Sequence, residues 1–176
     1  IGANAYDTAT ILLGDINGDD WLDIVEINGD EAHRIYLNNG DGTFAAESAL
    51  SVEVAEATAA ALGDMNGDGY LDIVVGVYGA PNRLYLNNGD GTFKDGVNIS
   101  EDAHDTTSIA LGDISGNGHL DIVVANTEHT TSDKKNYVYF NNGNGTFAEG
   151  IALAGLDDYD TTTMLLWDMN GDGKLD

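Results

Sequence analysis

The chain has 176 residues, in which 31 Asp and Glu against six Lys and Arg give a formal net charge of −25. This charge excludes nucleic acid as a partner and disfavours an anionic membrane surface, because both require a basic protein surface. Cysteine is absent, so disulfides contribute nothing. No apolar stretch reaches the roughly 18 residues of a membrane-spanning helix, and we expect no membrane insertion.

The first predicted strand, residues 10–13, runs into an acidic loop that occurs four times. The loop reads DINGDDWLD at 15–23, DMNGDGYLD at 64–72, DISGNGHLD at 113–121 and DMNGDGKLD at 168–176. Successive loops start 49, 49 and 55 residues apart. A nearly fixed period of this size is typical of a solenoid, a propeller or a linear array of repeats.

Side-chain oxygens fall at the first, third, fifth and ninth positions of each loop, and the seventh position is predicted to add its backbone carbonyl. Hard oxygen ligands favour calcium over zinc or copper, while magnesium requires stricter octahedral geometry. We therefore expect one calcium ion per loop. The predicted ligands are Asp15, Asn17, Asp19, Trp21 and Asp23; Asp64, Asn66, Asp68, Tyr70 and Asp72; Asp113, Ser115, Asn117, His119 and Asp121; and Asp168, Asn170, Asp172, Lys174 and Asp176.

Two features distinguish individual loops. Asp20 replaces the glycine that the other loops have at the sixth position, and Asp tolerates a left-handed conformation better than most residues. The third loop offers two carboxylates where the second and fourth offer three, so we expect it to bind calcium most weakly. The leucine at the eighth position of each loop is predicted to point into the core of its blade and hold the loop in place.

Two other interpretations of the loops are weaker. An EF-hand shares the first six positions, but it requires a glutamate at the twelfth position and flanking helices. That position holds Glu26, Val75 and Val124, and the flanks are predicted strands. An Asp- and Gly-rich turn without metal would leave several carboxylates close together and repelling one another in all four copies.

Each repeat is predicted to contain four short strands. The first strands are residues 10–13, 59–62, 108–111 and 163–166, and the second are the apolar runs 24–25, 73–75 and 122–124. The third strands are 34–37, 83–86 and 137–140, and an Asn-Asn-Gly turn separates each from a fourth that starts at 43–44, 92–93 and 146–147. Short strands with regular turn signals and no helical period indicate an all-β fold.

The repeats form one array over residues 1–176, with units at 7–57, 58–106, 107–161 and a truncated 162–176. The longer third interval arises mostly within residues 126–136. Two sets of connections vary between units, 28–33, 77–82 and 126–136 in one set and 51–57, 98–105 and 154–160 in the other. The chain starts without Met and inside the tail of an earlier unit, so we expect it to be a piece of a longer protein.

The unit LGDMNGDGYLDIVVG at 62–76, followed by RLYLNNGDGTF at 83–93, resembles the FG-GAP or VCBS-type repeat. That family includes the integrin α-subunit propeller and many secreted bacterial proteins, and the resemblance covers essentially the whole chain. It implies four-stranded antiparallel blades of a β-propeller, with calcium between the first two strands and the variable loops on the opposite face. The chain departs from the pattern at Asp20, at Ser115 with Asn117, and at Trp167, where other units have Gly.

A propeller needs about four to eight blades, so this partial ring would be completed by missing sequence or by another chain. Alternatively the repeats stack openly, as in solenoids.

Three functions remain open on the sequence. The first is a non-catalytic, calcium-stabilised extracellular module that binds or adheres to protein or glycan, because weak calcium sites suit millimolar extracellular calcium. Aromatic contacts to such a ligand would come from Tyr78, His104, His129 and Tyr159. The second is a subunit of a calcium-dependent extracellular fibre or surface assembly, with copies of itself as partners.

The third is the propeller scaffold of a polysaccharide-degrading enzyme. Its candidate groups are His33, Arg34 and Tyr36, or His104 with Asp105. No nucleophile elbow, paired-acid motif or histidine-rich metal cluster accompanies them. His33 is instead expected to be an exposed loop residue.

Overall fold

Twelve β-strands form three successive four-stranded sheets, here called blades 1 to 3, in the part of the chain that the structure describes. The computed structural model describes residues 7–50, 56–127, 135–153, 160–169, 171 and 175. Blade 1 contains β1 Thr8–Gly14, β2 Asp23–Asn28, β3 Arg34–Tyr36 and β4 Ser48–Ala49. Blade 2 contains β5 Ala57–Gly63, β6 Asp72–Ala80, β7 Arg83–Tyr85 and β8 Val97–Asn98. Blade 3 contains β9 His104–Gly112, β10 Asp121–Thr127, β11 Tyr137–Tyr139 and β12 Ile151–Ala152.

Within each blade the strands pair antiparallel in chain order, from the first to the fourth. An isolated bridge joins Phe44, Phe93 or Phe147 to the first asparagine of the preceding turn, and the two paired residues of each fourth strand begin four residues later. The fourth strands therefore start later than the predicted 43–44, 92–93 and 146–147. The predicted all-β fold of four-stranded antiparallel blades is therefore confirmed, as a partial β-propeller. In the described residues no helix is long and apolar enough to cross a bilayer.

The predicted first strand of unit 4, residues 163–166, is not a strand in the structure. Its backbone still contacts blade 3, because the Met164 N–H donates to Ser108 Oγ at 3.2 Å and the Thr107 hydroxyl donates to the Thr161 carbonyl. In blades 1 to 3 the first strand pairs with the second strand of the same unit. Among the described residues after 166, none pairs with this segment as a second strand.

Antiparallel pairing sorts the connections onto two faces. The acidic loops and the Asn-Asn-Gly turns lie at one face, which we call the loop face. The connections 28–33 and 77–82 and the crossing from blade 2 to blade 3 at residues 99–103 lie at the other, which we call the crossing face. At the crossing face, β6 of blade 2 extends to pair with β9 of blade 3, through Tyr78 with Asp105 and Ala80 with His104.

The hydrophobic core lies between blades. We call the side of a blade toward the preceding unit its leading face and the other side its trailing face. Between blades 1 and 2 the trailing face supplies Ile16, Val25, Ile35 and Leu50, and the leading face supplies Ile73, Val75 and Tyr85. Between blades 2 and 3 the matching residues are Met65, Val74, Leu84 and Ile99 with Ile122, Val124 and Tyr139. The second strands of blades 2 and 3 are apolar on both sides because neighbouring units cover both, and each buried aliphatic side chain contributes about 1.5–3 kcal/mol.

A glycine at the end of each first strand receives two leucines of the next unit. A Cβ on Gly14 would lie 2.8 Å from the Cδ1 atoms of Leu62 and Leu71, and Gly63 faces Leu111 and Leu120 at the same distances. The eighth-position leucines of blades 2 and 3 therefore lie in the cores between their own blade and the preceding one, as predicted, and this glycine provides the space beside them. Leu22 of blade 1, which no described unit precedes, is instead 58% exposed.

Candidate metal loops and the crossing face

In the first acidic loop the Asp15 carboxylate organises the turn. Its Oδ1 accepts hydrogen bonds from the N–H groups of Gly18 at 2.8 Å and Asp19 at 3.0 Å, and its Oδ2 accepts from the Asp20 N–H at 2.8 Å. Asn17 Nδ2 donates to Asp19 Oδ2 at 2.9 Å. The polar side chains of the first, third and fifth positions are thus brought together on one exposed turn.

The second loop repeats this arrangement bond for bond. Asp64 accepts from the N–H groups of Gly67, Asp68 and Gly69 at 2.7 to 3.2 Å, and Asn66 Nδ2 donates to Asp68 Oδ2 at 2.8 Å. The side chains gathered in the loop therefore offer the hard oxygen atoms that calcium prefers as ligands. In the described residues no three acidic or histidine side chains stand at metal-ligand spacing, so ion binding requires these carboxylates to turn from backbone N–H groups toward the ion.

The third and fourth loops are less complete. Asp113 accepts from the N–H groups of Asn117 at 3.0 Å and Gly118 at 2.8 Å, and these donors, the Gly118 bond foremost, lower the pKa of its carboxyl. In the fourth loop the Gly171 N–H donates to Asp168 Oδ1 at 2.6 Å. Four predicted ligands lie outside the described residues, namely Asn170, Asp172, Lys174 and Asp176.

The ninth-position aspartates are fully buried and join two elements of the loop face. Asp72 Oδ2 accepts from the Met65 N–H at 2.8 Å, and Oδ1 accepts from the Asn87 N–H at 2.8 Å. Burial raises the pKa of Asp72, against the lowering effect of these two N–H donors. Asp23 and Asp121 form the same bridge in their blades. The aspartate therefore connects the loop to the turn after the third strand, a role that the ligand prediction did not include.

The first asparagine of the second and third turns ties neighbouring blades together. Asn87 Nδ2 donates to the Ile16 carbonyl of the preceding loop at 2.8 Å and to the Leu71 carbonyl of its own loop at 3.0 Å. Asn141 does the same with Met65 and Leu120. Sequence reasoning assigned these residues only to turn formation. Their presence at the same position in all three turns was the available signal for a second role.

The seventh-position side chains cover the glycine of the neighbouring turn. A Cβ on Gly40 would lie 2.7 Å from Trp21 Nε1, and one on Gly89 would lie 2.6 Å from Tyr70 Cζ. His119 covers Gly143 in the same way in blade 3. The turn and the acidic loop are thereby packed against each other. These side chains are used in packing, so the predicted ligand at the seventh position is the backbone carbonyl.

Asp20 adopts the left-handed backbone conformation predicted from its place in the loop, with φ of 70°. We expect Asp20→Gly to raise the free energy of unfolding by about 0.5 kcal/mol, because the relief of left-handed strain exceeds the extra chain entropy of glycine. Gly69→Asp at the same position of loop 2 is the matched reverse change and is expected to destabilise. Urea denaturation of both variants measures the effect, and a destabilised Asp20→Gly would contradict it.

On the crossing face a cavity of about 510 Å³ opens between blades 1 and 2. Three carboxylates border it, those of Asp7, Asp30 and Glu56. The remaining lining residues are small: Ala9, Gly29, Ala57 and Thr58. The cavity thus combines hydrogen-bond acceptors with an open apolar floor.

His33 is buried, so the expectation of an exposed loop residue is wrong. Its Nδ1 accepts a hydrogen bond from the Asn28 N–H at 3.2 Å, and its ring meets the edge of Tyr85 from blade 2, with centroids 6.4 Å apart. In blade 2, Asn82 Oδ1 accepts from the Val77 N–H at 2.9 Å in the same place. The sequence neighbours of His33 are polar, and His33 is buried only because blade 2 packs against it.

Burial lowers the pKa of His33, so folding favours the neutral ring. Its contribution to stability is therefore complete above the unfolded pKa of about 6.5 and is lost as pH falls from there toward the lower folded pKa. We expect His33→Asn, which copies Asn82, to keep the hydrogen bond and to lose less stability than the wild type between pH 7 and pH 5. Parallel urea titrations at the two pH values measure this, and equal losses in both proteins would contradict it.

The other candidate catalytic groups are also engaged in structure. Arg34 forms an ion pair with Glu47 at 3.6 Å, and the Tyr36 hydroxyl donates to Glu26 Oε2 at 2.8 Å. Burial, followed by the Glu26 hydrogen bond, raises the pKa of Tyr36.

Of the residues predicted to contact a ligand, His104 is buried and Tyr78 is half-buried. His104 stacks on Tyr137 with ring centroids 4.6 Å apart, and the adjacent Asp105 is buried as well. Burial, with the charges of Asp105 and Glu56, raises the pKa of Tyr78. His129 and Tyr159 lie outside the described residues.

Three solved structures share this fold. A lectin from Agrocybe aegerita that recognises non-reducing terminal N-acetylglucosamine matches 81% of this chain at 25% identity, with a TM-score of 0.60. The Tc holotoxin pore of Photorhabdus luminescens matches 94% at 23% identity and 0.58, and the V. cholerae biofilm matrix protein Bap1 matches 97% at 24% identity and 0.52. This chain spans 37%, 8% and 28% of those chains, respectively. No curated protein sequence matches it.

The sequence profile of the FG-GAP-like repeat matches residues 15–75 and again 64–124. Each match starts at the first aspartate of an acidic loop and ends in the second strand of the next unit. Together they cover more than half of the chain and agree with the observed blades. The chain belongs to the FG-GAP-like repeat family.

Proposed function

We propose that this chain is a calcium-stabilised, extracellular binding module that recognises a glycan or a protein and has no catalytic role of its own. The observation that carries the calcium part is the identical hydrogen-bonding of Asp15 and Asp64, each of which gathers three backbone N–H groups inside an exposed loop. Such a loop gathers its oxygen-bearing side chains on one turn, and calcium would draw the carboxylates from these N–H groups toward the ion.

Side-chain oxygens of Asp15, Asn17 and Asp19 would hold the ion in loop 1, joined by the Trp21 carbonyl and by Asp23. Each carboxylate oxygen of Asp23 has a second lone pair beyond its bond to a backbone N–H. The ion would neutralise carboxylates that otherwise repel one another on a chain of net charge −25. We assign the same roles to the corresponding residues of loops 2 to 4, with the third site the weakest.

An extracellular location follows from calcium supply. Modules with few carboxylates per site bind calcium at about 10⁻⁴–10⁻³ M, which extracellular calcium satisfies and cytosolic calcium does not. Two of the proteins that share the fold, a lectin and a biofilm matrix protein, support a module of this kind.

We place ligand recognition on the crossing face. Loop-face residues repeat from blade to blade because they build the blades, whereas the crossing-face connections differ between units. The cavity bordered by Asp7, Asp30 and Glu56 presents acceptors for hydroxyl or amide N–H groups. Sugars of the N-acetylglucosamine type carry both groups, and the lectin that shares the fold recognises that sugar.

Isothermal titration with N-acetylglucosamine, followed by a glycan array, tests this proposal. We expect sugar binding in millimolar calcium that weakens in Asp30→Asn, with Asp41→Asn on the loop face as a matched control that leaves binding unchanged. Binding that is insensitive to Asp30→Asn would remove the cavity from the proposal. No binding to any arrayed glycan by the folded protein would overturn the glycan part.

A further inference from the structure

The cavity between blades 1 and 2 opens where blade 1 lacks a side chain that blade 2 has. Gly29, which lines the cavity, and Tyr78 each follow the ninth-position aspartate of their unit by six residues. Their backbones are bonded alike. The Gly29 N–H donates to the Asp7 carbonyl at 2.7 Å, and the Tyr78 N–H donates to the carbonyl of Glu56 at 2.8 Å. Blade 1 therefore has only backbone at the position where blade 2 has a phenol ring.

A side chain at residue 29 would extend into the cavity. A Cβ on Gly29 would lie 3.5 Å from the Asp7 carbonyl oxygen and 4.0 Å from that of Ala57, and both residues line the same cavity. These are ordinary contact distances, and the backbone at Gly29 is not in the left-handed region. The position therefore accepts a side chain without strain.

Tyr78 indicates which group suits this space. It is half-buried, and burial foremost, followed by the charges of Asp105 and Glu56, raises the pKa of its hydroxyl. Asp105 and Glu56 stand in their units where Glu56 and Asp7 stand beside the cavity, eight residues before the first aspartate of the acidic loop. At the junction of blades 2 and 3, a ring with a polar hydrogen therefore lies near an equivalent pair of carboxylates.

A second small residue widens the cavity. In blade 2 the Thr58 hydroxyl donates to the Thr106 carbonyl of blade 3. In blade 3 the Thr107 hydroxyl donates to the Thr161 carbonyl of unit 4. Ala9 holds this position in blade 1 and has no hydroxyl to donate, so the first strands of blades 1 and 2 lack this bond beside the cavity.

The cavity also carries a charge that the next junction lacks. Asp30 adds a third carboxylate at the position where blade 2 has Gly79. None of the seven described residues that line the cavity is basic. A protonated amine would satisfy these carboxylates with charge-assisted hydrogen bonds, which are stronger than those of a neutral hydroxyl or amide.

We propose that this cavity binds one sugar ring that bears a free, protonated amine. The six-membered ring takes the space that a tyrosine side chain would fill at residue 29, and its ammonium group donates to Asp7, Asp30 and Glu56. The cavity thereby selects an amino sugar over its N-acetylated form, whose amide carries no charge. This inference rests on the proposed function, since it names the class of sugar that the same cavity takes.

Isothermal titration with glucosamine, N-acetylglucosamine and glucose tests the proposal, at pH 6 and at fixed calcium and ionic strength. We expect glucosamine to bind once per chain and about tenfold more tightly than the other two sugars, because only its ammonium group forms charge-assisted hydrogen bonds. Asp30→Asn should lower the affinity for glucosamine more than the affinity for N-acetylglucosamine.

Gly29→Tyr places the side chain of blade 2 in the cavity and is expected to abolish glucosamine binding. Gly29→Ala is the matched control, because it adds only the Cβ and should leave binding unchanged. Circular dichroism and a cooperative melt show whether each variant is folded. Asp30→Asn changes neither backbone nor volume, so its comparison decides the matter even if Gly29→Tyr does not fold.

Three outcomes would overturn the inference. N-acetylglucosamine bound as tightly as glucosamine would remove the amine from it and leave the proposed function standing. A folded Gly29→Tyr protein that binds glucosamine as well as the wild type would remove the cavity from it. No binding of either sugar or of any arrayed glycan would overturn this inference together with the glycan part of the proposed function.

Discussion

Asp72→Asn is expected to lower the free energy of unfolding by about 3 kcal/mol, since the amide can accept from only one of the two buried N–H groups that the carboxylate now satisfies. The amide NH₂ then faces the N–H of Met65 or Asn87, donor against donor. Both the acidic loop and the following turn lose their connection. The effect is large because Asp72 is fully buried and links two segments of the blade.

Asp68→Asn separates this structural role from calcium binding. Asp68 is exposed in the same loop and is a predicted ligand whose oxygens bond only within the turn. We expect Asp68→Asn to be close to the wild type in chelator and to fall behind it as calcium is raised, because its weaker site gains less stability from the ion, whereas Asp72→Asn is already destabilised in chelator. Urea denaturation in chelator and at several calcium concentrations distinguishes the two. A deficit in Asp72→Asn that disappears in chelator would contradict the bridging role.

Val75→Glu is expected to cost about 3–5 kcal/mol, the typical cost of an uncompensated charge in a protein interior. Val75 is buried between Val25 and Ile35 of blade 1 and the rest of blade 2. At the corresponding position of blade 1 a glutamate is tolerated, because Thr8 and Tyr36 bind its carboxylate and no described blade covers it.

Glu26→Val is the control for that change, and we expect it to alter the stability of the monomer by less than about 1 kcal/mol, since surface-type substitutions have small effects. Thermal melts of both variants at low protein concentration provide the measurement. A Val75→Glu protein as stable as the wild type would show that blades 1 and 2 do not form the tight junction described.

The sequence predicted those parts of the fold that repeat locally. The period of the acidic loops located every blade, and the apolar runs such as 73–75 located the second strands, although β6 continues to Ala80. That extension could not be foreseen, because it exists to pair with β9 of the next blade.

The missed features arise where units meet. His33 was predicted to be exposed because its neighbours in sequence are polar, yet Tyr85 of the next blade covers it. The eighth-position leucines were predicted to lie in the blade core, but the sequence did not show that Gly14 and Gly63 of the preceding blade accept them across a junction. A sequence pattern shows which residues need burial and leaves open which neighbour provides it.

The candidate metal loops were predicted from spacing alone, and the structure shows that the predicted ligand positions differ in burial. The first, third and fifth positions are half-buried or exposed on the turn, whereas Asp23, Asp72 and Asp121 are fully buried beneath it. The repeating sequence pattern gives the first, third, fifth and ninth positions the same predicted role, that of an oxygen ligand. The burial of the ninth position depends on the Asn-Asn-Gly turn that follows the third strand, 15 to 20 residues later in the sequence.

Differential scanning calorimetry in millimolar calcium and in a chelator, with small-angle scattering of the same samples, tests most directly whether calcium holds these blades together. Millimolar calcium is about one to ten times the expected dissociation constant, so each occupied loop adds about 0.4–1.4 kcal/mol. We therefore predict a markedly lower melting temperature and a larger radius of gyration in chelator. Identical melting curves and identical scattering in the two conditions would contradict the account.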